Sequence, residues 1–251
     1  MKTKPTYQLY FISDVHLGVP DYDSSLEREK RLVSWLDSIK DLATDLFILG
    51  DLFDMWFDYK KVVPRGYVRL LGKLAELTDC GVRVHYFIGN HDMWVFDYFQ
   101  KELGFIIYRE PQSFDFNGKK FLLGHGDGLG PGDYSYKFIK RIFASPINQW
   151  LFARLHPNFG LGLASLLSKR SRIANGNFEE VSDDSESENL VRYCRKVLES
   201  DHYDFFIFGH RHVVIDIKLG NDSRYINLGE WVKNPHIASF DGNKMKLEAI
   251  N

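Results

Sequence analysis

Cysteine is nearly absent from this chain: Cys80 and Cys194 are the two among 251 residues, far apart and in no C-x-x-C pattern. This excludes a disulfide-stapled scaffold and a thiolate zinc cluster, and fits reduced structural thiols in a cytosolic protein. Long hydrophobic runs are missing too. No apolar stretch is long enough to span a bilayer, and Tyr7 to Ile12 is too short for a signal-peptide core before Ser13-Asp14 ends it. Nor is one sign of charge in excess, since 32 basic and 34 acidic residues leave a net −2. Such a balance gives no global pull toward nucleic acid or anionic lipid. Internal repeats are absent. What is present, 44% hydrophobic and 26% charged residues, is the make-up of a soluble enzyme with one domain over residues 1–251, large enough to carry an insertion.

The chain is organised around Asp45 to Asp54, where the apolar run Leu46-Phe47-Ile48-Leu49 stops at Gly50 and Asp51 follows at once. Short runs of this kind read as buried strands. Asp51 then sits at the carboxyl end of a strand, where open α/β sheets place ligands. The same syntax recurs. Tyr7 to Ile12 delivers Ser13-Asp14-Val15-His16, whose Asp14 and His16 share a face if the backbone stays extended. Val82 to Ile88 ends in Gly89-Asn90-His91-Asp92, and Tyr203 to Phe208 in Gly209-His210-Arg211-His212. Between them, Glu27 to Ile39 and Tyr67 to Leu77 carry helical apolar spacing, so helix and strand alternate as in a layered α/β sheet.

Past residue 110 the pattern shifts. Ser113 to Phe116 and Lys119 to Leu123 flank Asn117-Gly118, a hairpin signal, and the second arm ends in Gly124-His125-Gly126-Asp127. Residues 128 to 177 mix apolar side chains (Phe138, Ile142, Trp150, Leu163) with Lys137, Lys140, Arg141, Lys169, Arg170 and Arg172. This reads as a helical insertion. Either its apolar stripe packs on the body and its basic face is solvated, or it caps the site, apolar inside and basic at its mouth. Glu179 to Glu188 is acidic and serine-rich, a surface loop in which Ser185 and Glu188 would form a capping box for a helix over Asn189 to Leu198. Val213 to Leu219, Arg224 to Leu228 and two short strands around Asp241-Gly242 close the chain as antiparallel β.

Five strand ends thus deliver Asp14, His16, Asp51, Asn90, His125, His210 and His212. Any one histidine has a bland structural reading, which is retained for His85, His156, His202 and His236. Repetition of one device is different. A core gains nothing from converging carboxylates and imidazoles, whereas a pair of cations compensates them. Seven ligands without thiolate suit two divalent ions with one bridging carboxylate; Mn²⁺ is expected, with Fe²⁺ and Zn²⁺ also compatible.

In this order, D-x-H, G-D-x-x-D, G-N-H-D, G-H and G-H-x-H resemble the calcineurin-like metallophosphoesterases over essentially the whole chain. The resemblance implies an α/β (α+β) four-layer sandwich, two facing mixed sheets flanked by helices. It implies Asp14, His16, Asp51 and His212 on one ion, and Asp51, Asn90, His125 and His210 on the other. It gives His91 the task of stabilising or protonating the leaving oxygen and Asp92 that of orienting it. Asp54 is left outside the ligands, beside them or capping a turn. A narrower resemblance, carried by G-D-L-F-D-x-W, H-G-D, the basic-aromatic insertion near Arg170 to Asn175 and L-G-E-W, is to the UDP-2,3-diacylglucosamine hydrolases of lipid A synthesis. Those enzymes attack the α-phosphorus to release UMP and 2,3-diacylglucosamine 1-phosphate, hold acyl chains under a helical cap and rest on the cytoplasmic face of the inner membrane. On that pattern Asn90, His91 and the six insertion cations would bind substrate, with no nucleic acid and no obligate protein partner. The best-known members carry Arg where this chain has His91. A soluble phosphodiester or nucleotide is therefore the alternative substrate. A scaffold that has lost catalysis should have degraded ligands, and none is missing.

Overall fold

The computed structural model describes residues 7–130, 134–174, 189–220 and 222–250; the side chains of 135 and 169–174 also lie outside the description. The acidic segment 179–188, with its expected capping box, falls outside it. The first half runs β1 (Leu9–Ile12), α1 (Tyr22–Ile39), β2 (Asp45–Leu49), α2 (Val68–Asp79), β3 (Arg83–Phe87), α3 (Tyr98–Leu103), β4 (Ile106–Tyr108), β5 (Gln112–Phe116) and β6 (Lys119–Leu123). Then come α4 (Tyr134–Ala144), α5 (Pro146–Phe152), α6 (Pro157–Ala174) and α7 (Asn189–Leu198). The chain closes with β7 (Phe205–Phe208), β8 (Val214–Leu219), β9 (Ser223–Leu228), β10 (His236–Phe240) and β11 (Met245–Ala249).

These strands form two mixed sheets, ordered β11-β10-β1-β2-β3-β4 and β5-β6-β7-β9-β8. Their faces follow from the two-residue period of a strand. Leu9, Phe11, Phe47 and Leu49 pack toward Phe121, Ile207 and Ile226 of the other sheet. The alternate residues Tyr10, Ile12, Leu46 and Ile48 pack outward with Leu32, Leu36, Leu70 and Leu74 of α1 and α2. Phe206, Phe208 and Tyr225 bury the opposite outer face with Leu190, Val191 and Cys194 of α7. Both faces are covered, so β1 and β2 read as continuous apolar runs. The result is the expected four-layer α/β sandwich, helix, sheet, sheet, helix.

Several local expectations need correction. α1 begins at Tyr22 rather than Glu27, because Asp21 caps it by accepting from Ser24 N at 2.9 Å. The closing strands are not all antiparallel: β9 lies parallel to β7, with β8 added as an antiparallel edge. α3 and three-residue β4 are too short to stand out by periodicity. The Asn117-Gly118 turn is as expected, with φ of +54° and +72°. His85 lies in the middle of β3, between the Asp45 carboxylate and the Tyr108 hydroxyl, each 3.0 Å away, and stacks on Phe47.

Candidate active site

Every candidate ligand follows the carboxyl end of a strand. Asp14 and His16 follow β1, Asp51 follows β2, and Asn90 follows β3, three adjacent parallel strands. His125 follows β6, and His210 and His212 follow β7, its parallel neighbour in the other sheet. The backbone there is not extended. Asp14, His16, Asp51, His210 and His212 all take positive φ, between +48° and +69°. A left-handed non-glycine residue costs about 1–2 kcal/mol, so these turns persist because surrounding bonds hold them. Glycine serves close approach here. A Cβ on Gly89 would lie 2.2 Å from Asp51 Oδ1, and one on Gly209 would lie 1.8 Å from Ser13 Oγ.

Two groups of donor atoms result. In the first, Asp14 Oδ1 lies 3.2 Å from His212 Nε2 and 3.7 Å from His16 Nε2, and the two imidazole nitrogens are 3.0 Å apart. In the second, Asn90 Oδ1 lies 2.9 Å from His210 Nδ1 and 3.1 Å from His125 Nε2. Asp51 Oδ2 stands between them, 3.3 Å from His125 Nε2 and 3.9 Å from His16 Nε2. The protein uses up the other oxygens. Asp14 Oδ2 accepts from His210 N (2.9 Å) and the Ser13 hydroxyl, and Asp51 Oδ1 accepts from His91 N (2.8 Å). His125 Nδ1 donates to Leu49 O at 2.8 Å, turning Nε2 inward.

Asp14 Oδ1 and Asp51 Oδ2 are buried and accept no hydrogen bond. A bare carboxylate oxygen among imidazole nitrogens is costly unless a cation sits with it. The atoms fit two divalent ions, with Asp51 shared. Electrostatics agree in sign. Burial alone would raise the Asp14 and Asp51 carboxyls, but the surrounding imidazoles hold both below the usual range. Burial, seconded by His125, pushes His210 down to about 4, which keeps its ring neutral and able to ligate.

Comparison with known proteins follows from this geometry. The sequence model described as Calcineurin-like phosphoesterase matches residues 7–214, well over half the chain. The chain belongs to this family. Curated relatives of the phosphoesterase include a UDP-2,3-diacylglucosamine hydrolase of Porphyromonas gingivalis, 39% identical over 97% of this chain and 97% of that protein. Another of the same name, from Aeromonas salmonicida, is 28% identical over 95% and 91%. Among solved structures, the phosphoesterase Yfce from E. coli is 17% identical with a TM-score of 0.46, covering 97% of this chain and all of that one.

The phosphoesterase places its remaining candidates unevenly. His91 borders the first group, its ring 4.9 Å from that of His16. Its expected orienter, Asp92, turns away. Asp92 accepts from Gly89 N (2.8 Å), Leu52 N (3.0 Å) and the Tyr86 hydroxyl, and burial, then Asp51, pushes its carboxyl up to about 6. Neighbours in a tight turn point apart, so adjacency in G-N-H-D misleads. Asp54 holds His91 instead. The Asp54 carbonyl lies 3.0 Å and its carboxylate 3.5 Å from His91 Nδ1, and Ser168 of α6 approaches both side chains. His16, Asp54 and His91 also form a group close enough for a cation, with Asp54 Oδ1 3.9 Å from His16 Nδ1 and 3.5 Å from His91 Nδ1. The G-D-x-x-D spacing carried that signal; nothing in the sequence marked Ser168.

The insertion cations differ among themselves. Lys140 pairs with Asp127 at 2.6 Å and Lys137 donates to Gly130 O at 2.7 Å, whereas Arg141 is exposed. The side chains of Lys169, Arg170 and Arg172 lie outside the described ones. α4–α6 do not bury their apolar side chains on the body as the bland reading required. Phe138, Ile147, Trp150, Leu151, Phe159, Leu166 and Leu167 are exposed, while Phe152 packs against Phe57 and Trp94, and Trp94 Nε1 donates to Phe143 O at 3.0 Å. Among the described residues, no helix is long and apolar enough to cross a membrane.

Proposed function

We propose that this phosphoesterase hydrolyses the pyrophosphate of UDP-2,3-diacylglucosamine at its α-phosphorus, giving UMP and 2,3-diacylglucosamine 1-phosphate for lipid A synthesis. The observation that carries the reading is a set of exposed apolar helices reaching a two-cation phosphoesterase site, with Ser168 of α6 against His91. A soluble phosphodiester needs no such surface, and contiguous exposed apolar area marks a lipid or partner site. The names of the curated relatives point the same way. In this reading residues 128–177 are a cap within a single domain and receive the acyl chains. Arg141 meets the phosphates, together with Asn90 and His91. Lys137 and Lys140 brace the start of the cap.

Two Mn²⁺ ions, one on Asp14, His16, Asp51 and His212 and one on Asp51, Asn90, His125 and His210, would supply Lewis-acid polarisation of the phosphoryl oxygens and a water of lowered pKa. His91 does the proton work. Its Nδ1–H donates to the Asp54 carbonyl, with the Asp54 carboxylate 3.5 Å away, which fixes the ring and leaves Nε2 to protonate the departing sugar phosphate.

The test is to incubate Mn²⁺-loaded protein in ¹⁸O-water with UDP-2,3-diacylglucosamine and with an aryl phosphodiester, reading products by mass spectrometry. Fast turnover of the lipid with label in UMP is expected. Label in the sugar phosphate would overturn attack at the α-phosphorus. Cleavage of the diester alone would favour the soluble-substrate reading, for which His91 in place of Arg speaks.

Peripheral contact with the cytoplasmic face of the inner membrane belongs to the same proposal, through α5, where Ile147 and Trp150 are 71% and 56% exposed. Burying each such side chain stabilises by about 1.5–3 kcal/mol. Replacing both by Glu is expected to weaken co-sedimentation with anionic vesicles at least ~10-fold and spare diester cleavage. Unchanged sedimentation would remove α5 as the membrane face.

A further inference from the structure

The segment that carries Asp14 and His16 has an unusual need. It is buried, it takes left-handed backbone at both ligands, and it belongs to no strand beyond Ile12. Its N–H groups have partners in the next loop or helix: Asp14 N on Gly50 O, His16 N on Asp51 O, Leu17 N on Leu52 O and Gly18 N on Ser25 Oγ. Its carbonyls must also be satisfied, since an unpaired buried carbonyl is as costly as a lost hydrogen bond. Asp14 O accepts from Trp231 N, and Leu17 O from Asp54 N. Three others, Val15 O, His16 O and Val19 O, fall to one side chain. Arg28 of α1, 5% exposed, donates Nε–H to Val15 O at 2.8 Å, and Nη2–H to His16 O at 2.8 Å and to Val19 O.

We infer that Arg28 is a positioning residue for the first cation site, fixing the backbone that aims Asp14 and His16. It touches no ligand atom itself; it acts through the carbonyls on either side of the His16 Cα. A guanidinium suits this task because its planar fork presents donors in fixed directions and stays charged at any working pH. A lysine ammonium has three donors, but they radiate from one nitrogen on a flexible stem and do not reproduce the separated Nε and Nη2 donors that Arg28 uses here. The second site draws Asn90, His125 and His210 from other loops and meets this segment through the His210 N–H on Asp14 Oδ2 and the His16 N–H on Asp51 O, so the larger effect falls on the first ion.

This inference rests on the two-ion reading, and the wild-type protein tests that reading separately by binding two Mn²⁺ per chain. Equilibrium dialysis and electron paramagnetic resonance of Mn²⁺-titrated R28M and R28K then test Arg28. For wild type, two ions and an exchange-coupled spectrum are expected. For R28M, one ion should bind with affinity within about twofold of wild type and the other ~10–100-fold more weakly, the range for lost support of a ligand. Its spectrum at limiting Mn²⁺ should be that of an isolated ion. R28K should fall between, and decides by the same criteria if R28M does not fold. Two ions bound at wild-type affinity with a coupled spectrum, even in a variant of lowered Tm, would reduce Arg28 to a packing residue and overturn the inference.

Discussion

Replacing Asp51 by alanine is expected to remove both cations and to lower turnover by more than ~10³-fold, the scale of losing the main electrostatic element of a site. Asp51 Oδ2 is the one atom that faces both donor groups, while Oδ1 holds the turn that carries His91 through its N–H. Cutting the side chain therefore opens both groups and loosens Asn90 and His91 together. Asp51→Asn keeps the volume but not the charge, so it should retain the fold and still lose metal. The check is metal content by mass spectrometry alongside diester hydrolysis in excess Mn²⁺. A variant holding two ions and wild-type activity would sink the shared-carboxylate assignment.

His91→Ala should give the opposite pattern. No side-chain atom of His91 is among the seven ligands, and the His91 N–H that Asp51 Oδ1 accepts survives in alanine, so two ions should remain bound. Loss of a general acid typically costs ~10²–10⁴-fold in rate, and that loss should appear in kcat with KM little changed. Asp54→Asn should follow it with a smaller loss, because the Asp54 carbonyl remains to hold Nδ1 while the carboxylate contact at 3.5 Å that also orients the ring is gone. Asp92→Asn, by contrast, should weaken the loop after β3 rather than the chemical step, since its carboxylate spans Gly89, Leu52 and Tyr86. A His91→Ala protein that loses metal, or keeps full kcat with a leaving group of high pKa, would remove His91 from the chemistry.

The strands and the polar clusters at their ends were legible because one local device, an apolar run stopped by glycine, or by Ser13 after β1, and followed by a polar residue, recurs along the chain. A period of two and a stop signal are properties of adjacent residues. Asp92 and Asp54 show where that logic fails. Which carboxylate meets His91 depends on how the turns after β2 and β3 fold over each other, and adjacency pointed to the wrong one. Arg28 was invisible for the same reason: on a helix it reads as an ordinary solvated charge, and only the path of the loop after β1 gives it three carbonyls. The insertion was legible as helical, but its apolar faces were not readable as exposed, since the same spacing serves a buried stripe.

One feature of the donor groups reaches beyond catalysis. The first group takes Asp14, His16 and Asp51 from one sheet and His212 from the other; the second takes Asp51 and Asn90 from one and His125 and His210 from the other. An ion held by each group would thus bolt the two halves of the sandwich together, with an affinity that exists only once those halves have docked. Binding energy of that kind is folding energy. A cell short of the metal would lose this enzyme twice over, first as idle sites and then as chains whose two sheets part more readily and are cleared.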